Sequence, residues 1–288
     1  MIRQCLRLHF SIFIGIYCAV SFAFASKSLV ATKTETYKDI IDKSLALVSQ
    51  GERSQALLLL KSIVKKEADK GSSSKEITQA LDEVATVFLT EKGQQNFETA
   101  QSLFWTDLTL AISKLQETAG LEPDHLLVQL MLARAYIANN DCRKAKAFVL
   151  KTKDINEFDE RVDLLNAQVL LCGGQFEDYL AERQKIDAKK SKYLSMWKIL
   201  EAEYEFKSNR FDRARDILNP LLSEKKINPE IYYWMYKTSA EDKAEKNKFS
   251  QKYVASCKGM TARQKRELVE DPWLCRHTSE VEVEIKKS

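Results

Sequence analysis

Cysteine and histidine are the residues of this chain that could bind a metal or form a covalent cross-link. The sequence contains six cysteines and three histidines. Zinc sites usually use closely spaced pairs such as Cys-x-x-Cys, and no such pair is present. Only His125 and His277 follow residue 25 among the histidines. The sequence therefore predicts no metal site and no other cofactor.

Sequence motifs with a known catalytic mechanism are also absent. The chain has no Gly-rich phosphate loop, no His-Glu-x-x-His and no Gly-x-Ser-x-Gly. Gly173 and Gly174 follow an apolar helical stretch, so they are better explained as its C-terminal turn. His125 follows Asp124 at a predicted helix start, where capping and solvation explain it better than general-base catalysis. We predict that the chain is not an enzyme.

Aromatic side chains are concentrated at Tyr232, Tyr233, Trp234 and Tyr236. This density is too high for one buried helix face, so part of the cluster should reach the surface or a crevice. Because Trp and Tyr dominate interface energetics, the cluster is an alternative partner-binding surface. Packing against a terminal cap that includes Trp273 explains the cluster equally well.

The first 25 residues have the features of a secretory signal peptide. Arg3 and Arg7 precede an apolar run from Phe10 to Phe24, and small residues favour cleavage after Ala25. The run has about 15 residues, whereas a membrane-spanning helix needs about 20. The expected product is exported to a bacterial periplasm or secreted, with no stable membrane insertion after cleavage.

The composition favours helices throughout the chain. Only 8 glycines and 4 prolines occur in 288 residues, which leaves a sheet few places to turn. The formal net charge is +4, and acidic and basic residues alternate along the chain. A nucleic-acid or anionic-membrane surface would need Lys and Arg clustered on one face, so neither partner is expected.

Small residues recur at fixed spacing. Ala133 and Ala145 are twelve residues apart, as are Ala202 and Ala214, and Ala167 follows Ala133 by 34 residues. Two antiparallel helices can approach closely only where a small side chain faces the crossing. The spacing therefore predicts repeated helical hairpins.

This repeat resembles the tetratricopeptide repeat family, whose unit is about 34 residues long. The best single match is the segment Asn209–Leu218, and the resemblance covers about residues 125–223. It implies an all-α fold, a right-handed superhelix of antiparallel helical hairpins. We expect repeats over residues 26–256, followed by a capping helix and tail over residues 257–288.

The resemblance also implies a concave inner face that binds partners. The side chains predicted to line this groove are apolar with a few charges that could orient a ligand. They are Leu127, Leu130, Arg134, Ile137, Arg161, Leu164, Gln168, Met196, Ile199, Glu203 and Phe206. The alternative is that most of the apolar members pack against the adjacent helix.

Aligning the repeats selects one of three possible pairings of the last four cysteines. Cys142 and Cys172 would lie at the same edge of the stack, so Cys257 and Cys275 would pair with each other. Export favours oxidation of both pairs, although cysteine is also common in cores as a free thiol.

Local patterns predict several further helices. Residues 37–48 and 54–68 form an amphipathic pair, and a capping box at Ser73 opens a helix to about residue 90. A longer helix is expected from Phe97 to Glu117, and Pro123 and Pro229 mark helix starts.

The last residues alternate charged and β-branched side chains from Glu280 to Ile285. This pattern fits a strand added to a partner, but no other strand is predicted, so a loosely ordered tail is favoured.

Taken together, the sequence predicts an exported scaffold or adaptor that binds a peptide or helix of another protein. The alternative is an accessory helical subunit of an envelope or peptidoglycan-acting enzyme system.

Overall fold

The computed structural model describes residues 35–186, 191–224, 227–239, 241–260, 275 and 277–287. The predicted signal peptide and Trp273 lie outside these residues. Every regular element that the model describes is helical, as predicted. The α-helices are α1 Tyr37–Ser49, α2 Arg53–Ala68, α3 Lys75–Thr86, α4 Glu91–Leu103, α5 Leu108–Leu121, α6 Leu126–Ala138, α7 Cys142–Asn156, α8 Glu160–Cys172, α9 Phe176–Lys185, α10 Leu194–Lys207, α11 Phe211–Leu218, α12 Pro229–Thr238, α13 Lys243–Lys258 and α14 Thr278–Lys287.

Consecutive helices pack as hairpins from α4 to α13. The first helix of each later hairpin also contacts the first helix of the next, so that α6, α8, α10 and α12 form one row. Helices α1, α2 and α3 form a separate group, and α2 and α3 pack against α7, with α3 also contacting α6. The fold is therefore an all-α solenoid with an N-terminal helical group on one side.

The turns between paired helices repeat one backbone conformation. Gly51, Asn140, Gly174 and Asn209 each have a φ between 56° and 81°, and the last three are 34 and 35 residues apart. In each turn, the next amide donates to the carbonyl five residues earlier, at 2.8 or 2.9 Å. These donor and acceptor pairs are Glu52 to Leu47, Asp141 to Tyr136, Gln175 to Leu170 and Arg210 to Glu205. Gly and Asn tolerate this left-handed C-terminal position, so the chain reverses in the same way each time.

The predicted small positions lie at the helix crossings. Ala133 and Ala145 in one hairpin and Ala202 and Ala214 in another are fully buried. Tyr179 takes the second position in the intervening hairpin and is also buried, against Tyr204 with ring centroids 5.3 Å apart.

Helix α8 joins two hydrophobic cores. Val162, Leu165 and Val169 belong to the core that extends back to α1, whereas Leu164 and Leu171 belong to the core that extends to α14. Burial on two faces fixes α8 between the two halves of the stack.

Two disulfides join neighbouring elements, with the pairing implied by the repeats. Cys142 at the start of α7 is bonded to Cys172 at the end of α8. Cys257 near the end of α13 is bonded to Cys275, three residues before α14. The first bond fastens two hairpins together, and the second holds the last helix beside the stack.

Three predicted helix boundaries were wrong. The expected helix from Phe97 to Glu117 is two helices, because the Asp107 side chain accepts a hydrogen bond from the Leu110 amide and caps a new start. Helix α6 starts at Leu126 and not at Pro123. Helix α3 is capped by Ser74 and not by Ser73, and it ends at Thr86 and not near residue 90. Pro229 does begin a helix, and the Asn228 side chain caps it.

The expectation of a loosely ordered C-terminal tail is also wrong, since residues 278–287 form helix α14. Val281 and Ile285 are four residues apart and so share one helix face. Val281 is fully buried and Ile285 packs beside it in the second core. Contact with the last hairpin favours the helix where local alternation alone favours a strand.

We expect removal of the first disulfide, by Cys142→Ser with Cys172→Ser, to lower the free energy of unfolding by about 3 kcal/mol, because the bond closes a 30-residue separation in the unfolded chain. Urea unfolding of the wild type and of the double variant, both without reductant so that the second disulfide stays intact, measures the effect. Equal free energies of unfolding for the two proteins would contradict the expectation.

Candidate functional site

The predicted inner-face residues lie mostly in the interior. Those buried below one tenth of their surface are Leu130, Arg134, Ile137, Leu164, Gln168, Met196, Ile199 and Glu203. Leu127, Arg161 and Phe206 are half-buried. Binding of a partner along this row stays a prediction. In this conformation, only the three half-buried side chains could contact a partner directly.

The neighbouring helices account for this burial. Helix α6 is in contact with α3, α5, α7 and α8, and α10 lies between α8 and α12. Asp82 of α3 also pairs with Arg161 at 2.6 Å, and the Arg161 guanidinium donates three further hydrogen bonds to the Asp159 carboxylate. The positive charge of Arg161 is thus neutralised within the chain.

The aromatic cluster packs beneath the last helix. Tyr233, Trp234 and Tyr236 are buried, and Tyr232 is half-buried, so only part of the cluster meets solvent, as its density predicted. The Tyr233 ring stacks on His277 with centroids 3.8 Å apart. In the C-terminal segment the cluster contacts His277 and Glu284, and its use as a partner surface stays a prediction.

A cleft of about 350 Å³ lies between α2, the turn after α5 and the end of α7. Apolar side chains and two charges of each sign line it. They are Ser54, Leu57, Leu58, Lys61, Pro123, Asp124, Lys151, Asp154 and Ile155. Leu58 is 64% exposed, the largest exposure among the bulky apolar residues that the structure describes. A cleft of this size can accept an apolar side chain of a ligand.

Two hydrogen bonds join opposite sides of the cleft. The Ser54 hydroxyl donates to the Asp124 carboxylate, and the Lys61 ammonium donates to the backbone carbonyl of Asp154. The Lys151 ammonium lies 5.3 Å from the Phe148 ring centroid. The rim therefore contains polar groups that could orient a bound peptide.

A buried ion pair positions the turn that forms one wall of the cleft. Arg53 Nη2 lies 2.8 Å from Glu122 Oε2, and the two side chains are 3% and 0% exposed. Glu122 Oε1 also accepts hydrogen bonds from the Thr90 amide and hydroxyl, each at 2.7 Å. Burial alone would raise the pKa of Glu122, but the hydrogen bonds from Thr90 and Arg53 outweigh it and lower the pKa. One carboxylate thus fixes the start of α2, the start of α4 and the end of α5.

Gly93 allows α4 to come this close. A Cβ atom at Gly93 would lie 2.6 Å from Thr90 Oγ1 and 2.8 Å from Glu122 Cγ, too short for any side chain. The glycine is therefore required by the packing of the Glu122 carboxylate.

His125 is the second anchor of the turn, and its predicted solvation was wrong. Its side chain is fully buried and its ring centroid lies 3.9 Å from that of Phe88. Burial, with the nearby charge of Arg53, lowers the pKa of His125 to about 4. The imidazole is therefore neutral and helps to hold Pro123 and Asp124 in the cleft wall.

Sequence reasoning missed the cleft, although one signal was present. Residues 57–60 are four consecutive leucines, and a helix against a single neighbour cannot bury all of them. Leu57 and Leu60 are buried, and Leu58 projects at the mouth of the cleft.

No group of side chains in the described part of the chain could hold a metal ion. Within the same residues, no helix combines the length and apolar character needed to cross a membrane.

One segment of the chain matches a known family. Residues 106–169, which include α5, α6, α7 and most of α8, match the family model for the tetratricopeptide repeat. The matched segment resembles a tetratricopeptide repeat and covers 64 of the 288 residues. The chain is similar to the crystal structure of a tetratricopeptide repeat protein from Parabacteroides merdae, with 16% sequence identity and a TM-score of 0.49. That similarity covers 82% of this chain and 98% of the other. No curated protein matches the sequence.

We expect Glu122→Ala to destabilise the protein by about 3–5 kcal/mol, because Arg53 would keep a buried charge without its partner. Urea unfolding gives the free energy. Glu117→Ala on the same helix is the control: its carboxylate pairs with Lys114 but is 46% exposed, so the expected cost is below about 0.5 kcal/mol. Equal effects of the two substitutions would contradict a structural role for the buried pair.

His125 should make stability depend on pH. Between about pH 6.5 and 4 the unfolded chain binds a proton at this residue and the folded chain does not, so stability falls as the pH falls. The loss is about 3 kcal/mol by pH 4. His125→Phe keeps the stacked ring and should remove this part of the pH dependence, measured as the unfolding free energy at several pH values. Identical pH dependence in the two proteins would show that His125 is not responsible.

Proposed function

We propose that the chain is an exported protein-interaction scaffold that binds a peptide or helix of a partner protein. The observation that carries the proposal is the solenoid itself, in which hairpins contact mainly their neighbours and leave an extended surface. Tetratricopeptide repeat domains in general bind other proteins, and the matched segment forms the middle of this stack.

Two features support export. The N-terminal residues have the charge, apolar run and small residues of a signal peptide. The two disulfides are of a kind that persists in oxidising compartments, such as the bacterial periplasm.

The proposed occupant of the cleft is an apolar side chain of an extended or helical partner segment. Leu57, Pro123 and Ile155 provide apolar walls, and the exposed Leu58 would lose solvent contact when the side chain enters. Because the rim carries lysines and aspartates, the flanking residues of the partner would be oriented by charges of both signs.

Of the predicted inner-face residues, the proposal keeps only Leu127, Arg161 and Phe206, because their side chains are partly exposed. The alternative, an accessory subunit of an envelope or peptidoglycan-acting enzyme system, would use the same scaffold. The identity of the bound partner decides between the two.

We expect Leu58→Glu to abolish capture of a specific partner, because the charge would have to be buried in an apolar cleft. The chain from residue 26 is immobilised, exposed to a bacterial envelope extract, and the bound proteins are identified by mass spectrometry. Leu45→Glu on α1 is the matched control, since Leu45 is 47% exposed and does not line the cleft.

A protein retained by the wild type and by Leu45→Glu but lost with Leu58→Glu would support the cleft. Circular dichroism melting confirms that both variants remain folded. Capture of the same proteins by all three chains, or of none by any, would overturn the proposed site.

A further inference from the structure

The groove that holds α14 is formed by the last hairpin. Val281 is fully buried against α12 and α13, and Ile285 packs in the same core. On one side the Tyr236 hydroxyl donates to the Glu284 carboxylate. The aromatic floor of this groove is the cluster that the sequence indicated as a partner surface.

The charges on the two sides of this contact are segregated. The groove supplies only lysines to the described ion pairs with α14, and the helix supplies only glutamates. The pairs are Lys237 with Glu280 at 3.3 Å, Lys246 with Glu284 at 3.7 Å and Lys258 with Glu282 at 2.8 Å. A basic rim around an aromatic floor is thus complementary to an acidic amphipathic helix.

The segment before α14 is held much more firmly than the helix. Cys275 is bonded to Cys257, and its amide donates to the buried Glu230 carboxylate at 2.9 Å. The His277 amide donates to the buried Tyr253 hydroxyl at 3.0 Å.

The helix itself has weak attachments. Its described ion pairs are between side chains that are 28–66% exposed, where water screens the attraction. Among its residues only Val281 is fully buried, and Val283 is 49% exposed. An isolated helix of ten residues is marginal in water, so α14 depends on this shallow contact.

We propose that the groove between α12 and α13 is a second binding site, for an acidic amphipathic helix of a partner protein. In the unbound chain α14 occupies this groove, and the partner helix displaces it. The partner helix carries two apolar residues four positions apart, in place of Val281 and Ile285, with glutamates or aspartates beside them. Because the Cys257–Cys275 bond keeps a displaced α14 close by, weak competitors are excluded. This site is separate from the Leu58 cleft, so either can fail without the other.

The binding test uses the full chain and a fluorescent peptide of residues 277–288. Val281→Asp is introduced into the chain to release its own helix and leave the groove residues unchanged. We expect the peptide to bind this variant at least about tenfold more tightly than it binds the wild type, in which the tethered helix competes. Fluorescence anisotropy gives the dissociation constants. Equal or absent binding to the two chains would overturn the proposal.

Charge reversal tests the chemistry of recognition. A peptide with Glu280→Lys and Glu284→Lys should lose binding to the Val281→Asp chain. Binding should return when that chain also carries Lys237→Glu and Lys246→Glu. Lys243→Glu with Lys248→Glu, exposed on α13 and outside these pairs, is the control with the same change in net charge. Equal rescue by the control pair would show that net charge alone acts, and would also overturn the proposal.

A measurement on the wild-type chain covers the case in which Val281→Asp unfolds the last hairpin. Hydrogen exchange in low concentrations of urea should show the amides of α14 exchanging well before those of α12 and α13. Exchange of the three helices as one cooperative unit would mean that α14 is a permanent part of the repeat, and the proposal would fail.

Discussion

The carboxylate of Glu122 is the group on which the N-terminal half of the structure depends. A carboxylate without solvent contact is costly unless its lone pairs are satisfied, and here an arginine, a hydroxyl and backbone amides satisfy them. The partners come from segments 32 to 69 residues away in the sequence. Such a site forms only when all of these segments are in place, so it selects one arrangement of α2, α4 and α5. The cleft wall at Pro123 and Asp124 follows directly from that arrangement.

The parts of the fold that the sequence predicted are those set by local rules. The turn at Gly174 was predicted from a local glycine pair, and the buried alanines and the cysteine pairing follow from one repeat and its spacing. Contacts between distant segments were not predictable in this way. Nothing near Arg161 indicates that Asp82, 79 residues earlier, would neutralise it, and the expectation of an open inner face did not include this contact.

The candidate site was harder to predict than the fold for the same reason. The cleft combines side chains from α2, the turn after α5 and α7, none of which forms a motif alone. The misassigned tail has a related cause. Alternation from Glu280 to Ile285 favours a strand, because a helix leaves Val283 outside the face that Val281 and Ile285 share, and only contact with the last hairpin favours the observed helix. Tertiary contact therefore determines both the surface offered to partners and the surface that the chain covers itself.

The bond between Cys142 and Cys172 has a mechanical consequence. It encloses nearly all of α7 and α8, including the helix shared by the two hydrophobic cores. If the two ends of the chain were pulled apart, the segment between the two cysteines, which are separated by 30 positions, could not lengthen the molecule. At about 3.5 Å per extended residue, roughly 100 Å of contour length is withheld. A scaffold held between two attachment points would thus extend only in its flanking hairpins, while its centre transmitted the load through a covalent link.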